Sequence, residues 1–173
     1  MRYLTISVLL VGFILCGIGA LRAVAQESTP MGDMDMPSGA VGLTSKVLAK
    51  ISPAVAPGQE LQLVRVEVAE GATVAAHTHP GTIALCLESG SVIFGVVDGT
   101  VTMTQAATAA TPDAATQLAA NTETVLQPGD CLTFDATQTT HTLRNTGGPA
   151  VIWQAQLYAT GEAPTTFLGT PSP

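Results

Sequence analysis

The stretch Gly71-Ala-Thr-Val-Ala-Ala-His77-Thr-His79-Pro-Gly81 holds two of the three histidines in the 173-residue chain. Successive side chains of a β-strand point to opposite faces, so His77 and His79 would share one face, with Cα atoms roughly 6.5–7 Å apart. Imidazole is the commonest metal-ligating side chain, because its neutral form offers a nitrogen lone pair near physiological pH. The spacing therefore predicts two ligands for one cation, and His141 is the remaining histidine.

The sequence on both sides of this stretch has the alternating pattern of β-strands. Val64, Val66 and Val68 would point to one face of a strand while Arg65 points away. Short strand-like runs are separated by turn signals every 8–12 residues, and residues 60–160 show no convincing long helical pattern. The pattern predicts an all-β fold of antiparallel strands, either a sandwich or a barrel.

The first 25 residues are typical of an export signal. Arg2 provides a basic start, residues 6–21 are almost uninterruptedly apolar, and small residues precede Gln26. We predict a cleavable signal peptide cut after Ala25 and a secreted or extracytoplasmic protein. An uncleaved N-terminal anchor is the alternative.

Composition divides the remainder of the chain. Residues 26–57 are predicted to be a flexible leader, because their first part is rich in Pro, Gly and Ser without periodicity. Residues 58–160 form the predicted β-domain, and residues 161–173 a Pro/Thr-rich C-terminal tail. Within the domain, residues 105–121 are Ala/Thr-rich, which predicts a surface insertion in a loop.

The net charge limits the classes of partner that the protein is expected to bind. Removal of the signal leaves four basic residues against thirteen acidic ones, a net charge of −9. Such a chain is repelled by phosphate backbones and by anionic lipid. We therefore expect no nucleic-acid partner, and no membrane partner beyond the signal segment. Cys86 and Cys131 also remain after cleavage, and disulfides persist in extracytoplasmic compartments.

Two motifs in this region resemble those of a known family. The first runs Gly71, five residues, His77-Thr-His79, three residues, Ile83, six residues and Gly90. It resembles the first motif of the cupin superfamily, which has Gly, five residues, His-x-His, three or four residues, Glu, six residues and Gly.

The second motif follows in the expected order. It runs Gly129, five residues, Asp135-Ala-Thr137, three residues, His141, three residues and Asn145. The cupin motif has Gly, five residues, Pro-x-Gly, two residues, His, three residues and Asn. The resemblance covers about residues 58–158.

The resemblance implies a cupin-type jelly-roll β-barrel that binds a divalent transition metal. His77, His79 and His141 are the implied ligands, and dimerisation through barrel strands, as in many cupins, would give a homodimer. In such a barrel the strands that carry Cys86 and Cys131 are neighbours, which implies a disulfide between them. The alternative for these two cysteines is a pair of small buried side chains.

The chain departs from the cupin pattern at two places. Ile83 replaces the glutamate that is usually the carboxylate ligand, and Glu88 would face the other side of the sheet. Asp135 and Thr137 replace Pro and Gly in the second motif, with one extra residue before His141. Manganese-dependent cupins of the oxalate-degrading type use that glutamate, so Ile83 argues against their activity here.

Two functions follow for the pocket. The first is a secreted cupin that binds Fe, Cu, Zn or Ni through three histidines, whose enzymatic version is an oxygenase-like reaction on a small molecule. The alternative is a non-catalytic cupin that binds a small ligand without metal. Ile83, Asn145 and Gln156 are candidate pocket residues, although the usual role of Asn145 in the motif is to hold a turn. Gln154 and Gln156 share a face of the last strand, and this face is predicted to point either inward or to solvent.

Overall fold

The computed structural model describes residues 39–107 and 114–169, and these residues form eleven β-strands. In chain order the strands are β1 (Ala40–Ile51), β2 (Gln59–Thr78), β3 (Gly81–Ser89), β4 (Val92–Asp98), β5 (Thr100–Gln105), β6 (Ala114–Ala119), β7 (Thr122–Leu126), β8 (Cys131–Asp135), β9 (Thr140–Arg144), β10 (Ala150–Ala159) and β11 (Thr166–Phe167). None of these residues lies in a helix long and apolar enough to cross a membrane.

The strands form one antiparallel, nearly closed barrel. Their order is β6-β5-β8-β3-β10-β2-β9-β4-β7, and β1 and β11 also pair with β2. Every ladder among them is antiparallel. The predicted all-β fold of antiparallel strands is confirmed.

Strand β2 connects the two halves of the barrel. Its residues 59–68 pair with β10, and its residues from Thr73 to His77 pair with β9. The strand bends between these parts at Gly71, whose φ of 75° is a conformation that L side chains rarely adopt. This bend lets one strand place apolar side chains in the core and histidines in the neighbouring half.

The core consists of inward-facing side chains from most of the strands. Burying a Val, Leu, Ile or Phe side chain contributes about 1.5–3 kcal/mol, so this cluster is the main stabilising feature of the barrel. Among its least exposed members are Val64, Val68, Ile83, Leu87, Val92, Phe94, Val96, Val101, Leu126, Leu132 and Ile152.

Asn145 fastens the bend of β2 to the end of β9. Its side-chain amide donates to the carbonyls of Val68 (3.2 Å), Ala69 (3.0 Å) and Gly148 (2.9 Å), and its Oδ1 accepts from the Gly147 N–H (3.0 Å). Asn145 is 1% exposed and does not line the cavity described below. Its prediction as a pocket residue was therefore wrong, and its motif role as a turn-holding residue describes it correctly.

Cys86 and Cys131 lie directly opposite each other on β3 and β8 and are joined by a disulfide. The bond closes a loop across 45 residues of sequence. It therefore ties together the two strands on which the cupin resemblance placed these cysteines.

Three of the predicted segment boundaries need correction. The flexible leader was wrong over residues 40–51, which form β1 and pair with β2. The Ala/Thr-rich segment contains β6, which pairs with β5 rather than forming only a loop. The C-terminal tail contains β11, which pairs with β2 beside the histidines. The signal peptide, the first part of the leader, residues 108–113 and residues 170–173 lie outside the described residues.

Replacing Asn145 by alanine tests the role of its amide. Asn145→Ala is expected to lower the free energy of unfolding by about 3 kcal/mol, because buried carbonyls and one N–H lose their partners. Urea unfolding followed by circular dichroism measures the loss. Gln117→Ala removes an exposed amide on β6 and serves as the control, with a change within about 0.5 kcal/mol. Equal stability of the two variants would contradict this role of Asn145.

Candidate metal centre

Three imidazoles converge inside the barrel. His77 on β2 and His141 on β9 are direct partners in the β2–β9 ladder, and His79 follows the end of β2. Their ring centroids are 4.1 Å apart for His77 and His141, 4.8 Å for His77 and His79, and 5.2 Å for His79 and His141. One potential ligand nitrogen from each residue lies within 4.8 Å of the others. The structure thus brings together all three predicted ligands.

Backbone carbonyls fix the tautomers of two of the histidines. Nδ1 of His77 lies 2.7 Å from the carbonyl oxygen of Ala75, and Nδ1 of His79 lies 2.6 Å from that of Pro164. A carbonyl oxygen only accepts hydrogen bonds, so each Nδ1 carries the proton and donates. The lone pairs of His77 and His79 are therefore on Nε2, the arrangement in which metal-ligating histidines are commonly held.

His141 is the most deeply enclosed of the three. It is 4% exposed, stacks on Phe94 with ring centroids 5.2 Å apart, and meets the edge of Phe134 at 4.9 Å. Among the described residues, its buried Nδ1 makes no hydrogen bond of good geometry, although the Thr139 backbone acts weakly on this imidazole and opposes the lowering of its pKa. A buried polar atom so poorly paired is costly, and a polar ligand would offset that cost.

The site is electrically neutral at physiological pH. Burial lowers the pKa of His77, and it lowers that of His141 well below its usual value, with repulsion from His77 and His79 adding to the shift. Burial and then the neighbouring His77 lower the pKa of His79 to about 4. Neutral imidazoles are the form that binds metal ions, so the environment keeps all three in a ligating state.

A cavity of about 100 Å³ adjoins the three imidazoles. Its walls carry no Asp, Glu, Lys or Arg side chain among the described residues. Ile83, at 1% exposure, and Gln156, at 4%, both line it as predicted, and Gln154 also points into it. Glu88 is exposed, so it supplies no carboxylate in place of Ile83. The other apolar walls come from Leu43, Val64, Val66, Val74, Leu85, Phe94, Leu143 and Ile152.

The donor set fits a transition metal. Two imidazoles present Nε2 lone pairs, and the third contains a buried nitrogen that makes no hydrogen bond of good geometry with the described residues. Three imidazoles suit Zn, Cu, Fe and Ni, whereas Mg and Mn prefer carboxylate and other oxygen ligands, and the described walls carry no carboxylate. The three nitrogens leave further coordination positions for water or a ligand in the cavity.

Three contributors to the site were not predicted from the sequence. The segment before β11 brings the Pro164 carbonyl to His79 and places Thr165 in the cavity wall, and no motif or periodicity there indicates it. Phe167 on β11 packs beside His77, with ring centroids 5.5 Å apart. Tyr158 stacks on His79 at 5.5 Å. Of these contributors, Tyr158 could have been predicted from the sequence, because it shares one face of β10 with the candidate pocket residue Gln156.

Comparison with known proteins leaves the family open. No protein-family profile matches the chain, and no curated protein is significantly similar in sequence. Similar solved structures do exist. They include a cupin 2 conserved barrel domain protein from Rhodopseudomonas palustris, with 13% identity, a TM-score of 0.42, and coverage of 79% of this chain and 73% of that one.

Two further similar structures are larger. One, from crystal structures of DMSP lyases, has 14% identity, a TM-score of 0.48, and coverage of 73% of this chain and 53% of that one. The other is the oxalate decarboxylase of Lactobacillus farciminis in complex with formate, with 15% identity, a TM-score of 0.45, and coverage of 80% and 33%. The chain thus spans about half of the DMSP lyase chain and a third of the decarboxylase. The fold assignment rests on the strand order, not on these similarities.

The depressed histidine pKa values predict acid sensitivity of the metal-free protein. The ordinary pKa of histidine is near 6.5, so between about pH 6.5 and pH 4 the unfolded chain binds protons that folded His79 does not. Stability is therefore complete above this window and falls as the pH falls through it. For His79 alone we expect a loss of about 2 kcal/mol between about pH 7.5 and pH 5.

Urea unfolding of chelator-treated protein at the two pH values measures this loss. The matched variant is His79→Gln, because glutamine is a polar side chain of similar length that does not ionise. It is expected to lose about 2 kcal/mol less than the wild type over the same interval. The same pH dependence in both proteins would show that His79 is protonated in the folded state.

Proposed function

We propose that this protein binds one divalent transition metal ion, Fe, Cu, Zn or Ni, through His77, His79 and His141, next to a small molecule in the barrel cavity. The observation that carries the proposal is the convergence of three neutral imidazoles, those of His77 and His141 buried and that of His79 half-buried. Without a shared ligand, such imidazoles would leave polar nitrogens desolvated.

The missing carboxylate determines what the ion would attract. Imidazole ligands carry no negative charge, and Ile83 occupies the position where the cupin motif has glutamate. A divalent ion held here would keep its full charge inside an apolar cavity, and burying an uncompensated charge is unfavourable. The site therefore favours an additional anionic oxygen ligand, either hydroxide or an ionised oxygen of the bound molecule.

The enzymatic form of the proposal is an oxygenase-like or related metal-dependent reaction on a small molecule. When bound, the metal would supply Lewis acidity and exchangeable coordination positions. The chain itself contributes a neutral, largely apolar chamber that excludes water, and polar groups of Gln154, Gln156 and Tyr158 on one wall.

The apolar cavity also supports the second candidate, a non-catalytic module that binds a small ligand without metal. Most of the wall is aliphatic or aromatic, and neutral imidazoles accept or donate hydrogen bonds like other polar groups. The two candidates differ in one respect, namely whether the three histidines hold an ion.

We propose an extracytoplasmic location for this function. The export-like pattern of residues 1–25 supports it, and so does the disulfide between Cys86 and Cys131, since such bonds persist in oxidising compartments.

Metal binding to the tag-free mature chain tests the proposal. Calorimetric titration with Zn²⁺ is expected to give one equivalent bound to the wild type. His141→Ala and His79→Gln are each expected to bind at least about 100-fold more weakly, because each removes one of three ligands. His79→Gln keeps the buried core around His141 intact, so it separates loss of a ligand from loss of folding. Gln117→Ala is the control and should bind like the wild type.

The opposite results would contradict the metal proposal. These are less than about a tenth of an equivalent bound by the wild type, or equal affinity of wild type and His79→Gln. Either result would leave the metal-free binding module as the supported function.

Restoring the carboxylate gives a second, independent test. Ile83→Glu buries a carboxyl group in an apolar wall, so without metal it should be less stable than the wild type by about 3 kcal/mol. Mn²⁺ at about 100 times its dissociation constant should return about 2.7 kcal/mol of that stability. Ile83→Gln has the same shape without the charge and should gain nothing from Mn²⁺. Thermal unfolding with and without Mn²⁺ measures both variants, and equal behaviour would place Ile83 outside the coordination sphere.

A further inference from the structure

A chain of hydrogen bonds runs along the mouth of the barrel into the cavity. It begins at the ion pair between Lys50 Nζ and Glu60 Oε2, 3.3 Å apart. Gln62 Nε2 donates to Glu60 Oε1 at 2.7 Å, and Gln156 Nε2 donates to Gln62 Oε1 at 2.7 Å. Gln154 continues the series inward from Gln156. Lys50 is an exposed residue of β1, whereas the other members lie on the inward faces of β2 and β10, where Gln62 and Gln156 are direct ladder partners.

The inner end of the chain reaches the wall beside the histidines. Gln154 Nε2 donates to Gln156 Oε1 at 2.6 Å and lies 3.5 Å from Tyr158 Oη. Tyr158 is 5% exposed, lines the cavity and stacks on His79. Among the described residues, Gln154 is the one hydrogen-bond partner of Tyr158 Oη.

Glu60, at the outer end, determines which group donates and which accepts in each hydrogen bond of this series. Hydrogen bonding from Gln62 and the presence of Lys50 lower the pKa of Glu60, so this group is a carboxylate and only accepts. Gln62 must therefore turn its NH₂ toward Glu60 and its oxygen toward Gln156. Because Gln156 donates its NH₂ to Gln62, its oxygen is left to accept from Gln154. The NH₂ of Gln154 therefore faces Gln156 and Tyr158. Tyr158 Oη accepts from this NH₂, which leaves its own O–H free to donate.

We propose that Tyr158 donates a hydrogen bond to an oxygen atom of the molecule bound in the cavity, in an orientation fixed by the Glu60–Gln62–Gln156–Gln154 chain. The hydroxyl keeps its proton at physiological pH, because the ordinary pKa of tyrosine is near 10. The ligand class is a small, mainly apolar molecule that presents a neutral acceptor oxygen such as a carbonyl to Tyr158, because the wall of Gln154, Gln156 and Tyr158 carries no charge, whereas any ionised oxygen would lie at the metal ion. The inference rests on the proposed function in one respect, that this cavity is the ligand site.

A matched pair of probes isolates the hydroxyl. Cyclopentanone and cyclopentane differ by one carbonyl oxygen, and both are small, mainly apolar molecules of the proposed class. NMR titration of chelator-treated protein measures both dissociation constants. Tyr158→Phe should weaken cyclopentanone binding about five- to tenfold, the loss of one hydrogen bond, and leave cyclopentane binding unchanged.

Glu60→Gln tests the directional chain without touching the cavity. A glutamine at position 60 both donates and accepts, so the amides are free to turn over and Tyr158 becomes free to donate to Gln154 instead. Cyclopentanone binding should weaken about twofold while cyclopentane binding stays the same. Lys46→Gln removes an exposed charge on β1 and is the control. It should leave the binding of both probes unchanged.

Two results would overturn the inference. If Tyr158→Phe binds cyclopentanone as tightly as the wild type, the hydroxyl does not face the ligand. If it weakens both probes equally, the effect comes from packing and not from hydrogen bonding. Chelator treatment keeps these outcomes separate from the metal proposal, which the Zn²⁺ titration tests by itself.

Discussion

The candidate site depends on the register of the β2–β9 ladder, in which His77 and His141 are direct partners. Because side chains alternate across a strand, a slip of one residue would turn His141 to the outside and bring Thr140 or Thr142 inward. Asn145 holds this register. It lies four residues beyond His141, and its amide binds the carbonyls of Val68 and Ala69 at the bend of β2. The same bend sends the later part of β2, with His77 and the following His79, into the second half of the barrel.

Charge is the second constraint on the site. The cavity brings three imidazoles together without any carboxylate in the described walls, and burial keeps them neutral. In the related motif a glutamate would offset part of the charge of an ion, whereas Ile83 offsets none. Any charge compensation would therefore come from what occupies the cavity. Gln154 and Tyr158 line the same cavity as the histidines, and Tyr158 stacks on His79.

The sequence was sufficient to predict the strands that alternate cleanly and the residues that face inward from them. His77, His79 and Ile83 could be placed in this way, because each lies within or directly beside a regular strand, whereas alternation alone left open whether Gln154 and Gln156 face inward. Asn145 could not, since it follows the end of β9, where alternation no longer indicates which way a side chain points. Its contacts depend on the approach of the β2 bend from more than 70 residues away in sequence.

The missed strands have a common physical explanation. Strand β1 pairs with β2 through two register shifts, between Val41 and Leu43 and between Val47 and Ala49, and each shift interrupts the alternation that identifies a strand. Strand β6 consists mostly of small or polar side chains, so it buries little and gives a weak apolar signal. Strand β11 has two residues, too few for any periodicity. Strand β11 also pairs with a part of β2 almost 90 residues earlier, which the local sequence does not specify, whereas β1 and β6 pair with strands adjacent in sequence.

The most direct test of the central claim is X-ray absorption spectroscopy at the zinc edge on the Zn²⁺-loaded, tag-free protein. The account predicts nitrogen ligands at about 2.0–2.1 Å, with outer-shell scattering from three imidazole rings and no sulfur ligand near 2.3 Å. A first shell of oxygen or sulfur without imidazole scattering would contradict it, because the ion would then be bound outside the site formed by His77, His79 and His141.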